Sequence, residues 1–400
     1  MIENNNEKEK VTKRPMNKVT YTVMICLITS LITALLMTGA GLTVLNEIDE
    51  YFVENLGFDL AHILKVTTVC QEVGINNADD KANTTDLMLV GYVQSLKDKY
   101  ASYVPRTMSQ QFSMLTEGEY VGIGIIYSKK QNEVNEFLEI TDVSKNSPAE
   151  KAGLVVGDKI YKMNDIDVIN EEAINNLLTQ VREQKLKEVK VNINNEKDVI
   201  IKIEKIEIPL TEFKIEDNIA KISVSSFNER SKNEFISYIE EAEKANVKGY
   251  LIDLRDNAGG EKNSALEMME RMCKEGLLMK EVDKYNNITN AYYAKDKKYI
   301  DKPVVIMTNN NTASASELFS MGLQDLNGAK TVGQTTFGKS TVLASLTFEN
   351  GSSIVISSGY YYPQSERYIE GIGIEPDYPT EIGEEETKAL EVLNELINQN

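Results

Sequence analysis

Val304-Val305-Ile306-Met307-Thr308-Asn309-Asn310-Asn311-Thr312-Ala313-Ser314-Ala315-Ser316-Glu317-Leu318-Phe319 opens on a short apolar run, passes through a polar turn and enters a helical pattern that continues to Asp325. The apolar run reads as a strand that passes into a helix. The same alternation recurs around it. Strands are expected at Ala220 to Val224 and Tyr250 to Leu254, and helices at Lys232 to Ala245, Ser264 to Glu275 and Ser316 to Asp325, which together describe an α/β unit from 208 to 400. A final helix over Thr387 to Asn398 puts Leu390, Leu393, Leu396 and Ile397 on one face, to be buried in its own core or against a second copy of the chain in a homodimer.

N-terminal to this unit the texture differs. Residues 118–207 carry short alternating strands, Glu136 to Ile140, Val189 to Ile193 and Val199 to Ile203, with one helix over Glu171 to Gln184, and form a small β-rich domain. Residues 46–117 read mainly as a helical arm, with Leu87, Leu89, Val90, Val93 and Leu96 at mixed helical spacing. Residues 19–45 contain no charge and, at about 1.5 Å per residue, exceed a hydrocarbon core of about 30 Å. They are also longer than the apolar part of a cleaved signal peptide, so an uncleaved transmembrane anchor is expected. Lys8, Lys10, Lys13, Arg14 and Lys18 stand before the run and Glu47, Asp49, Glu50 and Glu54 after it. The tail 1–18 is therefore expected in the cytoplasm and the rest outside the cell membrane.

Composition removes several classes of function. A net charge of -19 and no basic, aromatic-interleaved stretch outside the N-terminal tail argue against nucleic acid as a partner. Cys26, Cys70 and Cys273 form no metal or disulfide pattern, and a Cys70–Cys273 bridge is not the expectation. The single histidine, His62, lies in an amphipathic stretch and reads as a packing residue, so no metal or organic cofactor is implied.

What remains for chemistry is Ser314 at a strand-to-helix passage, where free N–H groups and the helix dipole favour an oxyanion, and Lys339 in Phe337-Gly338-Lys339. Ser314-x-x-Glu317 is also a capping box, and on the serine alone that reading prevails. Lysine as a base carries a cost: keeping an amine of pKa about 10.4 neutral at pH 7 takes roughly 4.6 kcal/mol, which burial has to supply. Phe337 and Val342 flank Lys339 and no carboxylate lies within several residues, which suits desolvation.

Two sets of segments carry a family resemblance. Tyr120-Val121-Gly122-Ile123-Gly124-Ile125, Ser147-Pro148-Ala149-Glu150-Lys151-Ala152-Gly153-Leu154 and Gly157-Asp158-Lys159-Ile160 resemble a PDZ domain. By that resemblance the N–H groups of Ile123, Gly124 and Ile125 form a nest for a terminal carboxylate while a peptide adds as a strand. The alternative is a glycine-rich hairpin without a ligand. Tyr250 to Gly260, Ala313 to Glu317, Thr336-Phe337-Gly338-Lys339 and Gly373-Ile374-Glu375-Pro376-Asp377 resemble the C-terminal processing, or tail-specific, peptidases.

The second resemblance implies a crotonase-like core acting on proteins with free C-terminal tails. Ser314 is then the nucleophile, Lys339 the base, and the N–H groups of Ala315 and of Gly259 or Gly260 the oxyanion hole. Many members carry a glutamine four residues after the lysine, where this chain has Leu343; Gln334 and Ser340 are the candidate substitutes. Two rivals stand beside this reading. Leu343 suits a PDZ scaffold that binds tails without cutting them. Gly333 to Ser340 matches a nucleotide-binding P-loop letter for letter, but Thr341 to Phe348 reads as a strand rather than the helix such a loop requires.

Overall fold

The computed structural model describes residues 81–131, 136–295 and 299–399. The expected cytoplasmic tail, the span 19–45, the first part of the arm, His62 and Cys70 lie outside the described residues. Among the described residues no helix is long and apolar enough to cross a bilayer. One compact unit begins at Asp86.

The arm holds α1 (Lys81–Ser95), β1 (Ser102–Val104) and α2 (Arg106–Thr116). Strand β1 corrects the mainly helical expectation. Tyr103 and Val104 favour extended backbone, and Pro105 pushes the residue before it away from the helical region. Both side chains are buried, and the Tyr103 hydroxyl donates to Asp86 Oδ1 at 2.8 Å. Helix α1 buries Val93 but leaves Leu87 and Leu89 exposed, as is Leu96 just after it.

The β-rich domain comprises β2 (Glu119–Gly122), β3 (Ile125–Gln131), β4 (Glu136–Val143), α3 (Pro148–Lys151), β5 (Lys159–Met163), β6 (Ile166–Asp167), α4 (Glu171–Arg182), β7 (Glu188–Ile193), β8 (Lys197–Lys202) and β9 (Glu204–Glu207). Its antiparallel sheet runs β3-β4-β5-β7-β8, with β6 beside β5, and β2 pairs with β9 as a separate ribbon that joins the domain's two ends. Alternation decides which face is inside: Val189, Val191 and Ile193 are buried while Lys190 and Asn192 between them are not. Helix α4 starts on the Asn170 cap and lays Ile174 and Leu177 on that core.

The larger unit contains β10 (Thr211–Glu216), β11 (Ile219–Val224), α5 (Glu229–Lys244), β12 (Gly249–Asp253), α6 (Lys262–Met272), β13 (Gly276–Asp283), β14 (Ile288–Ala294), β15 (Val304–Thr308), α7 (Ala315–Leu326), β16 (Lys330–Gly333), β17 (Thr341–Thr347), β18 (Ser353–Tyr362), β19 (Tyr378–Pro379) and α8 (Glu385–Gln399). Its main sheet runs β10-β11-β12-β15-β16-β19, parallel from β11 onward. Both faces are covered. Tyr250, Ile252, Val304 and Ile306 join the core that includes Phe235, Met268 and Phe319, from the three preceding helices. Leu251, Val305 and Met307, one residue out of phase, pack on Ala389, Val392 and Leu393 of α8. The last helix is thus buried in its own chain. Each large apolar side chain so buried contributes roughly 1.5–3 kcal/mol.

A second sheet, β1-β18-β13-β14 with β17 on β18, was not read from the sequence. Its hairpin pairs Thr341 with Tyr360 through to Thr347 with Ser353. The chain after Lys339 is therefore a strand and not the helix into which a P-loop opens, which removes the P-loop reading.

Candidate active site

Ser314 sits at the passage from β15 into α7, with φ 58° and ψ -116°. That region is costly for a residue with a Cβ, about 1–3 kcal/mol, and such strain persists only where the surroundings impose it. The imposing contacts are visible. Thr312 donates its hydroxyl to the Leu254 carbonyl at 2.8 Å, Ala313 N–H to the Asn257 carbonyl at 3.0 Å, and Ser316 its hydroxyl to the same carbonyl at 2.9 Å. Gly259 closes against the serine: a Cβ built there would stand 2.9 Å from Ser314 Cβ and 3.0 Å from Ala315 N. The loop after β12 and the entry to α7 are consequently one packed unit.

Glu317 is fully buried and goes beyond the capping box. One oxygen, Oε2, accepts from Ser314 N–H and Lys339 N–H, both at 2.8 Å; the other accepts from Thr336 Oγ1 at 2.5 Å and Gly338 N–H at 2.7 Å. The two amide nitrogens of the predicted dyad therefore lie within twice 2.8 Å of each other. Tyr361 acts on the opposite edge of the same pair, its hydroxyl 2.8 Å from the Ser314 carbonyl and 2.9 Å from the Lys339 carbonyl. Burial pushes the Tyr361 phenol well above its ordinary pKa and keeps it a donor. Burial also pushes the Glu317 carboxyl up, against the four hydrogen bonds that pull it down. Phe337 N–H donates to the Thr312 carbonyl at 2.9 Å, a further tie between the two loops.

The backbones of Ser314 and Lys339 are thus fixed side by side, while no hydrogen bond joins Lys339 Nζ to Ser314 Oγ among the described residues. The amine lies instead over the Tyr100 ring, 4.4 Å from its centroid. Burial lowers the Lys339 pKa and outweighs Glu370, Asp98 and Glu317, whose charges raise it. The absence of nearby carboxylates in sequence does not carry over to space: these three come from distant segments. Gln334 is committed elsewhere, its amide donating to the Thr380 carbonyl at 3.1 Å and to Glu385 at 3.0 Å. The Ser340 hydroxyl is buried without a hydrogen-bond partner among the described residues. Leu343 stands on β17, 37% exposed.

The glycine pair now separates. Gly259 N–H is donated to Asn257 Oδ1 at 2.8 Å, whereas the N–H groups of Gly260 and Ala315 donate to nothing among the described residues. Arg255 and Asp256 brace this loop. Arg255 grips Asp253 and Glu385, and Asp256 accepts from the side chains of Asn309 and Asn311 before the nucleophile.

In the β-rich domain Ile123 and Gly124 connect β2 and β3, which belong to different sheets, so the segment is not a hairpin. Their N–H groups donate to nothing among the described residues, and Ile125 opens β3, which pairs with β4 alone and leaves its outer edge free. Gly124 has φ +89°, and a Cβ there would lie 2.2 Å from Ser147 Cβ, so only glycine fits. Glu317's wider role, Tyr361, Tyr100 and Glu370 were not found from the sequence. Only Glu317 left a local signal, and that signal was the capping box.

Residues 218–380 match Peptidase family S41 and residues 139–192 match a PDZ domain. The carboxy-terminal processing protease CtpA of Bacillus subtilis is 30% identical over 76% of this chain and 65% of its own length. A probable CtpA-like serine protease of Staphylococcus aureus is 29% identical over 93% of this chain and 74% of its own length. The chain thus spans about two thirds to three quarters of these relatives. A solved S41-assigned protein of Bacteroides fragilis, 15% identical, shares the fold over 84% of this chain and 97% of its own, with a TM-score of 0.53. By these matches the chain belongs to peptidase family S41, with the carboxy-terminal processing serine proteases, and carries a PDZ domain.

Proposed function

We propose that this chain is a serine endopeptidase that captures the C-terminal tail of a protein on its PDZ domain and cleaves within that tail. The observation that carries the reading is the double clamp of Glu317 and Tyr361, which holds the Ser314 and Lys339 backbones together in a water-poor place. Neutral Lys339 takes the proton from Ser314 Oγ as that oxygen attacks the scissile carbonyl carbon. The oxyanion then faces the uncommitted N–H groups of Ala315 and Gly260. Collapse breaks the C–N bond, the leaving amine takes the proton from Lys339, and water releases the acyl group by the same exchange. The tail adds along the free edge of β3, its carboxylate at the N–H groups of Ile123, Gly124 and Ile125. The apolar run 19–45 and its flanking charges support a single-pass anchor with the catalytic part outside the cytoplasm.

Hydrolysis of an unstructured peptide with an apolar free C-terminus tests this. Ser314→Ala and Lys339→Ala are each expected to lower kcat by about a thousandfold or more, with Ser314→Ala still binding the peptide. In the wild type kcat/KM rises with pH, because the base works only when deprotonated, and the lowered Lys339 pKa places that rise below a free lysine's value of about 10.4. Retained hydrolysis by Ser314→Ala overturns the assignment. Tail binding without cleavage in the wild type returns the protein to a scaffold.

A further inference from the structure

Lys339 is a long, flexible side chain, and its amine reaches Ser314 Oγ only if something limits where it goes. None of its neighbours along the chain does so. Leu343 has no polar atom to offer, Gln334 is bound to Thr380 and Glu385, and Ser340 Oγ touches no partner. The group that does meet the amine comes from the arm. Tyr100 places its ring face 4.4 Å from Nζ, close enough for the ring's negative face to attract an ammonium.

The ring is itself fixed at both ends. Its backbone follows Asp98, whose carboxylate accepts from Tyr100 N–H at 3.0 Å and from Ser357 N–H and Oγ, both at 2.8 Å; β1 then pairs with β18. Its hydroxyl donates to Glu370 Oε1 at 3.1 Å, where Lys99 Nζ also binds at 3.0 Å. The other Glu370 oxygen accepts from Ser340 N–H at 2.8 Å and Thr341 Oγ1 at 2.9 Å, directly after Lys339. One carboxylate therefore locks the ring and the lysine's backbone into a single frame, and the partners of Glu370 keep it ionised despite its partial burial.

We propose that Tyr100 is the positioning residue for Lys339, its ring holding the resting ammonium in place of the polar partner that Leu343 cannot be. The role rests on Lys339 being the base. The ring attracts only the charged form, so loss of the proton releases the neutral amine to turn toward the serine.

The test uses the full chain with 13Cε-labelled lysine as wild type, Tyr100→Leu and Tyr100→Phe, with Lys339→Ala to assign the Lys339 signal. The wild-type Lys339 Hε resonance is expected upfield, shifted by the ring current, kept in Tyr100→Phe and lost in Tyr100→Leu. Against the unstructured peptide, Tyr100→Leu is expected to lower kcat by about 30- to 100-fold with KM unchanged and to move the rise of activity to lower pH, because the ammonium has lost its ring. Tyr100→Phe keeps kcat close to wild type. A wild-type Lys339 resonance without the upfield shift overturns the proposal even if Tyr100→Leu does not fold. So does unchanged kcat in Tyr100→Leu while Lys339→Ala is inactive, and so does a Tyr100→Phe as damaged as Tyr100→Leu. An active Lys339→Ala removes the base, and the role of Tyr100 with it.

Discussion

The PDZ domain and the protease core hold their charges in opposite ways. In the PDZ domain the ion pairs stand in solvent, as with Lys129 between Glu136 and Glu171 or Lys190 beside Asp165, and Ser147 is the one buried polar side chain among the described residues. In the core Glu317, Glu385, Asn257, Thr312 and Ser316 are buried, and each has partners. Burying a carboxylate is costly unless donors surround it. The difference follows from the tasks. A terminal carboxylate can be captured by backbone N–H groups on a glycine loop, which needs only a free strand edge. Breaking a peptide bond needs two residues held beside each other away from water, and buried polar groups are what fix their backbones.

The largest effect should come from the group on which this contrast turns. Glu317→Gln keeps the shape but turns an NH2 group toward two of four donors, Ser314 and Lys339 N–H or Thr336 and Gly338. Leaving buried donors unmatched should cost about 3 kcal/mol, part of it offset because the amide carries no charge to desolvate. Displacing the dyad should lower kcat by about a hundredfold or more. Thermal melting and peptide hydrolysis check both, and a variant with wild-type kcat would mean that the clamp does not govern the dyad.

Much of this arrangement was legible in the residues, and the illegible part has one cause. The parallel strands showed as apolar runs because both faces are covered, β7 as alternation because one face is, and α4 and α5 as apolar stripes. The serine, the lysine and the glycine loops could be found because each sits in a local pattern. Tyr100, Glu370 and Tyr361 could not, because their relation to Lys339 exists only once β1 and β17 have paired with β18; the turn at Glu349-Asn350-Gly351 marks the second pairing, but nothing near Tyr100 records the first. Ser314's left-handed backbone is likewise imposed by Gly259 and Asn257 from another loop. The PDZ domain was easier to read because its work is done by local backbone.

A smaller effect, confined to binding, is expected from Gly124→Ala. Its φ of +89° is costly with a Cβ, and the new methyl would meet the buried Ser147 Cβ at 2.2 Å, so the loop has to move. Because Ser147 also caps α3 through Glu150 N–H at 3.1 Å, the displacement reaches the start of that helix. KM for a tailed peptide should rise about tenfold, which corresponds to about 1.4 kcal/mol, with kcat at saturation unchanged. A fall in kcat with KM constant would show the loop acting on the core instead of on the tail.

The smallest effect should come from the PDZ domain's exposed charges, and its smallness is informative. Lys190 on β7 faces Asp165 and Asp198 across the surface, and the pairing raises the Lys190 pKa. Water already solvates all three groups, and mobile ions screen them, so holding the pair together gains little over letting it go. Lys190→Met should therefore melt at the wild-type temperature within error at both low and high salt, while Glu317→Gln melts clearly lower at both. Comparable losses in the two variants would break the contrast, because the stability of the PDZ domain would then depend on its charges as that of the core does. A loss for Lys190→Met at low salt alone would sharpen it, since only a solvent-exposed pair responds to ionic strength in that way.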